Sequence, residues 1–266
     1  MRRYLILVAS LVVIGTNAAA TLLPLNGLNT GEISALYPTG FTPAGWVFSI
    51  WSLIYLGLVG YGFHAAKLGG SATGADLNRR RLQAIELPYL LSCAANTCWI
   101  FLWHYRFTGA SVIAMLVLLA SLVLIVLRLR SEPAVSGTQR ALVDGTFSLY
   151  LGWITTATFA NLGAWFFARG AWPFGYSMDE WALITIVLAT SLYVAAGIWT
   201  HDTVYTAVFV WAAFGIVFRE SGITGPVRLA AGTGAVAVAL VTALSLFRSV
   251  RSRSRGSLEQ QLATRA

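Results

Sequence analysis

Eight long apolar segments recur along this chain, at about 4–23, 45–66, 85–105, 109–128, 142–168, 179–199, 203–218 and 226–247, separated by short polar or Gly/Pro-bearing connections. A hydrocarbon core of about 30 Å takes about 20 apolar residues of helix to cross, because the backbone finds no water there and must bond within its own segment. The recurrence predicts an all-α polytopic membrane bundle of about eight transmembrane helices. With 57% hydrophobic residues against 11% charged, and a mean hydropathy of +0.71, one soluble core would not hide the apolar surface. His201 and Asp202 interrupt an apolar run too long for one span, which predicts two helices joined by a tight turn.

Lys and Arg resist translocation, so their distribution sets orientation. With the N-terminus inside, only Arg106, Arg169, Arg219 and Arg228 fall outside and the other fourteen cations fall inside. That predicts an even number of crossings with both termini cytoplasmic. The net charge of +8 is then topology rather than a nucleic-acid footprint, and no nucleic-acid partner is expected. The alanine- and arginine-rich, lysine-poor composition points to a bacterial plasma membrane. Arg2, Arg3, an apolar run to Gly15 and the small residues after Asn17 also fit a cleaved signal peptide, although the apolar stretch continues through Leu23 and favours a retained helix. Residues 249–266, with Arg251, Arg253 and Arg255 alternating with serine, read as a disordered basic tail held against anionic lipid, or as a contact for a regulatory partner.

The residues that usually carry catalysis are scattered. Cys93 and Cys98 lie five apart on different faces of one helix, too far apart along its axis for a disulfide, and no CxxC motif exists. His64 and His201 fall near the inside surface and His104 near the outside, so they do not converge on a metal. None of the ten acids falls mid-membrane; Glu86 and Asp144 read as first-turn anchors near Arg81 and Arg140, with a gating ion pair as the alternative. Paired carboxylates, a Ser/His/Asp set and a phosphate-binding glycine loop are all missing, so hydrolase, glycosidase and nucleotide-driven readings lack support and no cofactor is required.

The tryptophans stand apart because of their depth. Helices entering and leaving in the predicted directions place Trp46, Trp103 and Trp165 near the outer surface, Trp51 and Trp99 a turn or more below, and Trp153 near the midplane. An interfacial belt explains Trp172, Trp181 and Trp199, but it has no use for indoles below the headgroups. Asn96 and Asn161 lie at similar depth on the same helices and should face the interior for partners. Two readings stay open. The asparagines knit helices and the tryptophans fill core, or these residues line an outward-opening pocket for a flat, apolar, partly polar molecule. Small residues such as Ala157, Gly152, Gly163, Gly57 and Gly60 would leave room for it or permit close packing.

Three segments together resemble the tryptophan-rich sensory protein family (TspO/MBR, which includes the translocator protein): Phe41 to Tyr55, Asn96 to Trp103, and Trp153 to Trp165. The resemblance implies a five-helix bundle with a cavity for porphyrins, haem or sterol-like molecules, capped by the loop that precedes the second helix. Carried over by motif, its site residues are Trp46, Trp51 and Tyr55, with Asn96 and Trp99 from the third helix and Trp153, Ala157, Asn161 and Trp165 from the fifth. Here Pro43-Ala44 stands for the family's proline pair, and Trp46 and Trp51 lie five residues apart rather than six. That one-residue change turns a helix by about 100°, so Trp51 carries over better than Trp46. These motifs occupy residues 1–170. Residues 171–248 would add three helices, which would cover a homodimer face, form a second gate or contact a partner.

Three functions therefore compete. The first is a membrane protein that binds tetrapyrroles or other flat hydrophobic molecules for sensing or transport. The second is a porphyrin-degrading activity at Trp51 and Trp153, and the third a transporter or structural protein with no tetrapyrrole site. A hydrophobic small molecule and membrane lipid are the expected partners, and a homodimer is a further expectation of the resemblance.

Overall fold

A computed structural model describes residues 2–23, 25–67, 75–132 and 136–263, all helix, turn or loop with no strand among them. Pro24, the 68–74 connection and Arg265 of the basic tail lie outside the described residues, as do the tail side chains beyond Arg251.

The first helix, α1 (Arg2–Leu22), leads through a short 3-10 turn to α2 (Thr30–Ala35). A capping box starts α2: the Asn29 side chain accepts from the Gly31 and Glu32 amides, and Glu32 accepts from the Asn29 amide. A second 3-10 turn, Gly45–Ser49, feeds α3 (Ile50–Lys67). Then come α4 (Ala75–His104), α5 (Thr108–Ser131), the single turn α6 (Gly137–Gln139), a π-helical turn (Arg140–Gly145), α7 (Thr146–Arg169), α8 (Met178–Thr200), α9 (Thr203–Val217) and α10 (Gly225–Ala263). The eight long helices coincide with the eight apolar segments.

Six of them are long and apolar enough to cross a membrane by themselves: α1, α3 with its preceding turn, α4, α5, α8 and α10. The apolar α9 has only 15 residues. The 24-residue α7 is interrupted by Thr146, Ser148, Thr155, Thr156, Thr158 and Asn161. It tolerates them because it lies between two cores. One side joins the cluster built from α1, α3, α4 and α5, and the other meets the cluster of α8, α9 and α10. A helix shielded from lipid can carry polar groups that find partners inside. Thr156 and the Gly152 carbonyl both bond the Tyr193 hydroxyl of α8, at 2.9 and 2.5 Å. At Gly152 an added Cβ would stand 2.9 Å from Val208 and 3.0 Å from the Tyr205 carbonyl of α9, so the two backbones meet there.

The tight turn expected at His201 and Asp202 is present. His201 ends α8 at φ 53°, and the Asp202 carboxylate caps α9 by accepting from the Tyr205 amide at 3.0 Å. Two boundaries differ from expectation. α4 starts ten residues earlier, so Glu86 is inside the helix rather than in its first turn. The Arg81 guanidinium anchors this extra length by donating to the Glu132 and Leu129 carbonyls at the end of α5, which have no helical donor of their own. Within α4, Pro88 cannot bond back to Ala84, and Arg128 of α5 takes that carbonyl at 2.5 Å. The backbone of α10 continues as helix to Ala263, through the arginine-serine run expected to be irregular.

α1 is tied into the bundle rather than appended to it. Its Asn17 donates to Asn96 of α4 at 2.7 Å, and its Ser10 bonds Tyr89. The helices alternate in direction, so α2, the 3-10 turns and the α4–α5, α7–α8 and α9–α10 connections gather at one end. The π-helical turn and the His201–Asp202 turn gather at the other.

Candidate functional site: a tryptophan-lined cavity beneath a helical roof

The segment from Asn26 to Pro43 folds over the bundle as a roof. His104, the last residue of α4, is fully buried and holds it. Its Nδ1 lies 3.0 Å from the Leu25 carbonyl and its Nε2 3.1 Å from the Thr30 hydroxyl, while its own carbonyl accepts from Asn26. Trp103 adds a bond from its indole to the Thr30 carbonyl. Both ring nitrogens of His104 are therefore spent on the roof, and this histidine is a structural fastener.

A narrow cavity of about 40 Å3 lies beneath the roof. Its floor and walls are aromatic: Phe48 and Trp51 of the α3 entrance, Trp99 and Trp103 of α4, and Trp153 of α7. Ala157, Ala160, Asn161 and Ala164 of α7 supply the small face, and Thr30, Ser34 and Tyr37 close the top. Four rings form a ladder along one side, with Tyr55 on Trp51 at 5.4 Å, Trp51 on Trp99 at 6.3 Å and Trp99 on Trp103 at 5.9 Å, interplanar angles being 29° or less. Trp153 stands edge-on to Trp51 and Phe48, at 6.2 and 5.6 Å. Such offset and edge-to-face contacts add to the burial energy of the rings and hold their faces in fixed directions.

Polar groups at the cavity are few and mostly committed. The Trp99 indole donates to Asn161 Oδ1 at 2.8 Å, and Asn161 Nδ2 donates to Ser111 of α5 at 2.8 Å. The Trp153 indole nitrogen is different: it is buried and makes no hydrogen bond among the described residues. An unpaired buried N–H is costly, and a hydrogen-bond acceptor on a bound molecule would relieve it.

Of the residues expected at the site, Trp51, Trp99, Trp153, Ala157 and Asn161 line this cavity together. Tyr55 reaches it only through its stack on Trp51. Asn96 lies on α4 one turn before Trp99 and knits α1 to α7, accepting from Asn17 and donating to the Tyr150 hydroxyl at 2.7 Å. Trp46 is 46% exposed and packs edge-on against Trp211 of α9, at 4.7 Å, outside the cavity. Trp165 faces Gly109 and lies under the Arg169 guanidinium. Sequence reasoning missed Trp103 and the roof residues. Trp103 follows Trp99 by one helical turn and so shares its face, and Asn-Thr-Gly-Glu at 29–32 is a capping-box signature that marks the roof helix.

A larger hollow of about 490 Å3 adjoins the cavity, sharing Ser34, Thr42, Pro43 and Phe48 with it and extending to Phe218–Gly222 after α9. The roof is fastened from this side by α9 and the loop that follows it. Arg219 donates to the Thr39 and Thr42 carbonyls at 2.8 and 2.6 Å, the Ala44 amide donates to the Gly215 carbonyl at 3.0 Å, and the Trp211 indole donates to the Val47 carbonyl at 3.1 Å. Gly215 is required here, because a Cβ would collide with Val47. Burial, and secondarily the charge of Arg228, lower the pKa of Arg219. Among the described residues no group of three or more His, Cys, Asp or Glu side chains could hold a metal ion.

Neither the curated proteins nor the solved structures contain a match to this chain. A family model described as TSPO-like protein matches residues 3–244, which takes in the roof, the tryptophan cavity, α8, α9 and the first half of α10 as well as the segments that carry the motifs. This integral membrane protein, an all-helical bundle throughout its described residues, therefore belongs to the TSPO-like family.

Proposed function

We propose that this protein is a membrane receptor or transport-associated binder for a flat, largely apolar molecule with a hydrogen-bond acceptor, and that a tetrapyrrole is the class that fits best. The observation that carries the reading is the convergence of Trp51, Trp99, Trp103 and Trp153 on one cavity, the Trp153 N–H having no partner among the described residues. Further support comes from the ladder of near-parallel rings, which offers π faces to a planar ligand. A volume of about 40 Å3 holds little more than a water molecule, whereas ligand sites run to about 300–1,000 Å3. A tetrapyrrole thus requires the roof to lift toward the 490 Å3 hollow, and the fastening by α9 makes the last three helices a second support for that gate. The excess of Lys and Arg at the opposite end supports cytoplasmic termini with the roof outside, and the alanine- and arginine-rich, lysine-poor composition supports a bacterial plasma membrane.

The small closed volume also favours a second reading, in which the aromatics are packing and no tetrapyrrole binds. Titration of the detergent-solubilised protein with protoporphyrin IX, read by the porphyrin absorbance, separates the two. Saturable binding that is weakened by Trp51→Phe and abolished by Ala157→Phe, which fills the cavity, supports the site. Non-saturable uptake that is equal in all three proteins refutes it.

A further inference from the structure

At the end opposite the roof, a polar hollow of about 290 Å3 is lined by Arg81, Arg130, Arg140, Asp144, Ser148 and Asp202, with Val126 and Leu129 of α5 as its apolar wall. It is built from four places in the chain: the start of α4, the end of α5, the start of α7 with the turn before it, and the turn that begins α9. The two carboxylates are already engaged. Asp202 Oδ2 accepts from Arg130 at 2.9 Å and from Ser148 at 2.6 Å, and its Oδ1 accepts from the Tyr205 amide. Asp144 Oδ1 is ion-paired to Arg81.

The arginines are not all satisfied. Arg81 is only 2% exposed and spends its Nε and Nη2 on the α5 carbonyls and Asp144, yet its Nη1 is buried without a partner among the described residues. A guanidinium stays charged, so this N–H cannot be silenced by losing a proton. The Arg140 side chain makes no hydrogen bond or ion pair among the described residues. Three guanidinium groups therefore face two carboxylates, leaving one surplus positive charge at the hollow and, among the described residues, the Arg140 fork without a hydrogen bond.

We propose that this hollow is an anion site for a phosphate group, either free inorganic phosphate or the headgroup of an anionic phospholipid. Forked guanidinium donors match phosphate oxygens geometrically, and the anion would compensate the Arg140 charge beside Arg81 in the same hollow. The apolar wall of Val126 and Leu129 suits a lipid, whose glycerol end would lie against it.

Isothermal titration calorimetry of the full chain in detergent tests this, with inorganic phosphate and dihexanoyl phosphatidate as probes and dihexanoyl phosphatidylcholine as the zwitterionic comparator. Arg140→Gln is the informative variant, since the side chain is exposed, and Arg169→Gln at the other end controls for general loss of charge. One-site binding of a phosphate-bearing probe is expected, weakened about tenfold by Arg140→Gln and unchanged by Arg169→Gln, as loss of one charge-assisted hydrogen bond implies. Tighter binding of phosphatidate than of phosphate identifies the lipid as the source, and equal or preferential binding of phosphate identifies the free ion. Absence of saturable binding for both, equal binding of phosphatidylcholine, or affinity that Arg140→Gln leaves intact or that both variants weaken alike overturns the proposal.

Discussion

Replacing Arg219 by glutamine should loosen the roof without unfolding the bundle. In the native protein the guanidinium joins the end of α9 to the roof through the Thr39 and Thr42 carbonyls. Its other two bonds, to the Ser221 and Gly222 carbonyls, are local to the loop after α9. Glutamine is shorter and neutral and cannot span both roof carbonyls. A hydrogen bond from a charged donor contributes about 1.5–3 kcal/mol when buried, and because Arg219 is half-buried about 1 kcal/mol each is the appropriate figure. Loss of about 2 kcal/mol raises the open-to-closed ratio of the roof about thirtyfold. The Ala44–Gly215 and Trp211–Val47 bonds remain and keep the opening local. Two roof amides report on it, since those of Thr39 and Thr42 are hydrogen-bonded in the closed form. Hydrogen exchange followed by mass spectrometry in detergent should therefore show peptides covering Thr39 and Thr42 exchanging about thirtyfold faster, with α1 and α5 unchanged. Unaltered protection at Thr39 and Thr42 would refute the reasoning, and so would a uniform acceleration in every helix, which means global rather than local opening.

Two further outcomes follow from the packing. Asn161→Leu strips the Trp99 indole and the Ser111 hydroxyl of their partners inside the bundle and should lower stability by about 1–2 kcal/mol in denaturant titrations followed by tryptophan fluorescence; an unshifted midpoint contradicts the bridging role. Gly152→Ala inserts a methyl group where α7 meets the Tyr205 carbonyl and Val208 of α9, and should cost about 1–3 kcal/mol by thermal melting, whereas a neutral or stabilising result means the helices separate freely there.

Much of the site could be read from residue spacing, and particular residues show where that reading stops. Trp153, Ala157 and Asn161 recur every fourth position on one helix, so their shared face is a property of the helical repeat. Asn96 has the same depth and the same polar character, yet its neighbours are Asn17 and Tyr150, which makes it a cross-link. Nothing in its local sequence separates that use from a ligand contact. Trp46 was carried over by motif, but the 3-10 turn at Gly45–Ser49 rotates it outward onto Trp211, a residue 165 positions away. By depth alone Trp103 falls near the outer surface, and only the roof folded over it makes it part of the cavity wall.

The sequence by itself determined the all-helical membrane class and the existence of eight long apolar helices, because each follows from local free energies: about 20 apolar residues to cross the hydrocarbon, and turns where Gly, Pro or a capping Asp interrupt the run. Only the tertiary structure decided which tryptophans converge and that the roof is fastened by a side chain 177 to 180 positions away. The physical reason lies in the solvent. In lipid every face of a helix can be apolar, so no amphipathic stripe in the sequence marks which face turns inward. Rotation about each helix axis is settled instead by close packing, as at Gly152 and Gly215, and by a few interhelical hydrogen bonds, as at Asn96 and Asn161.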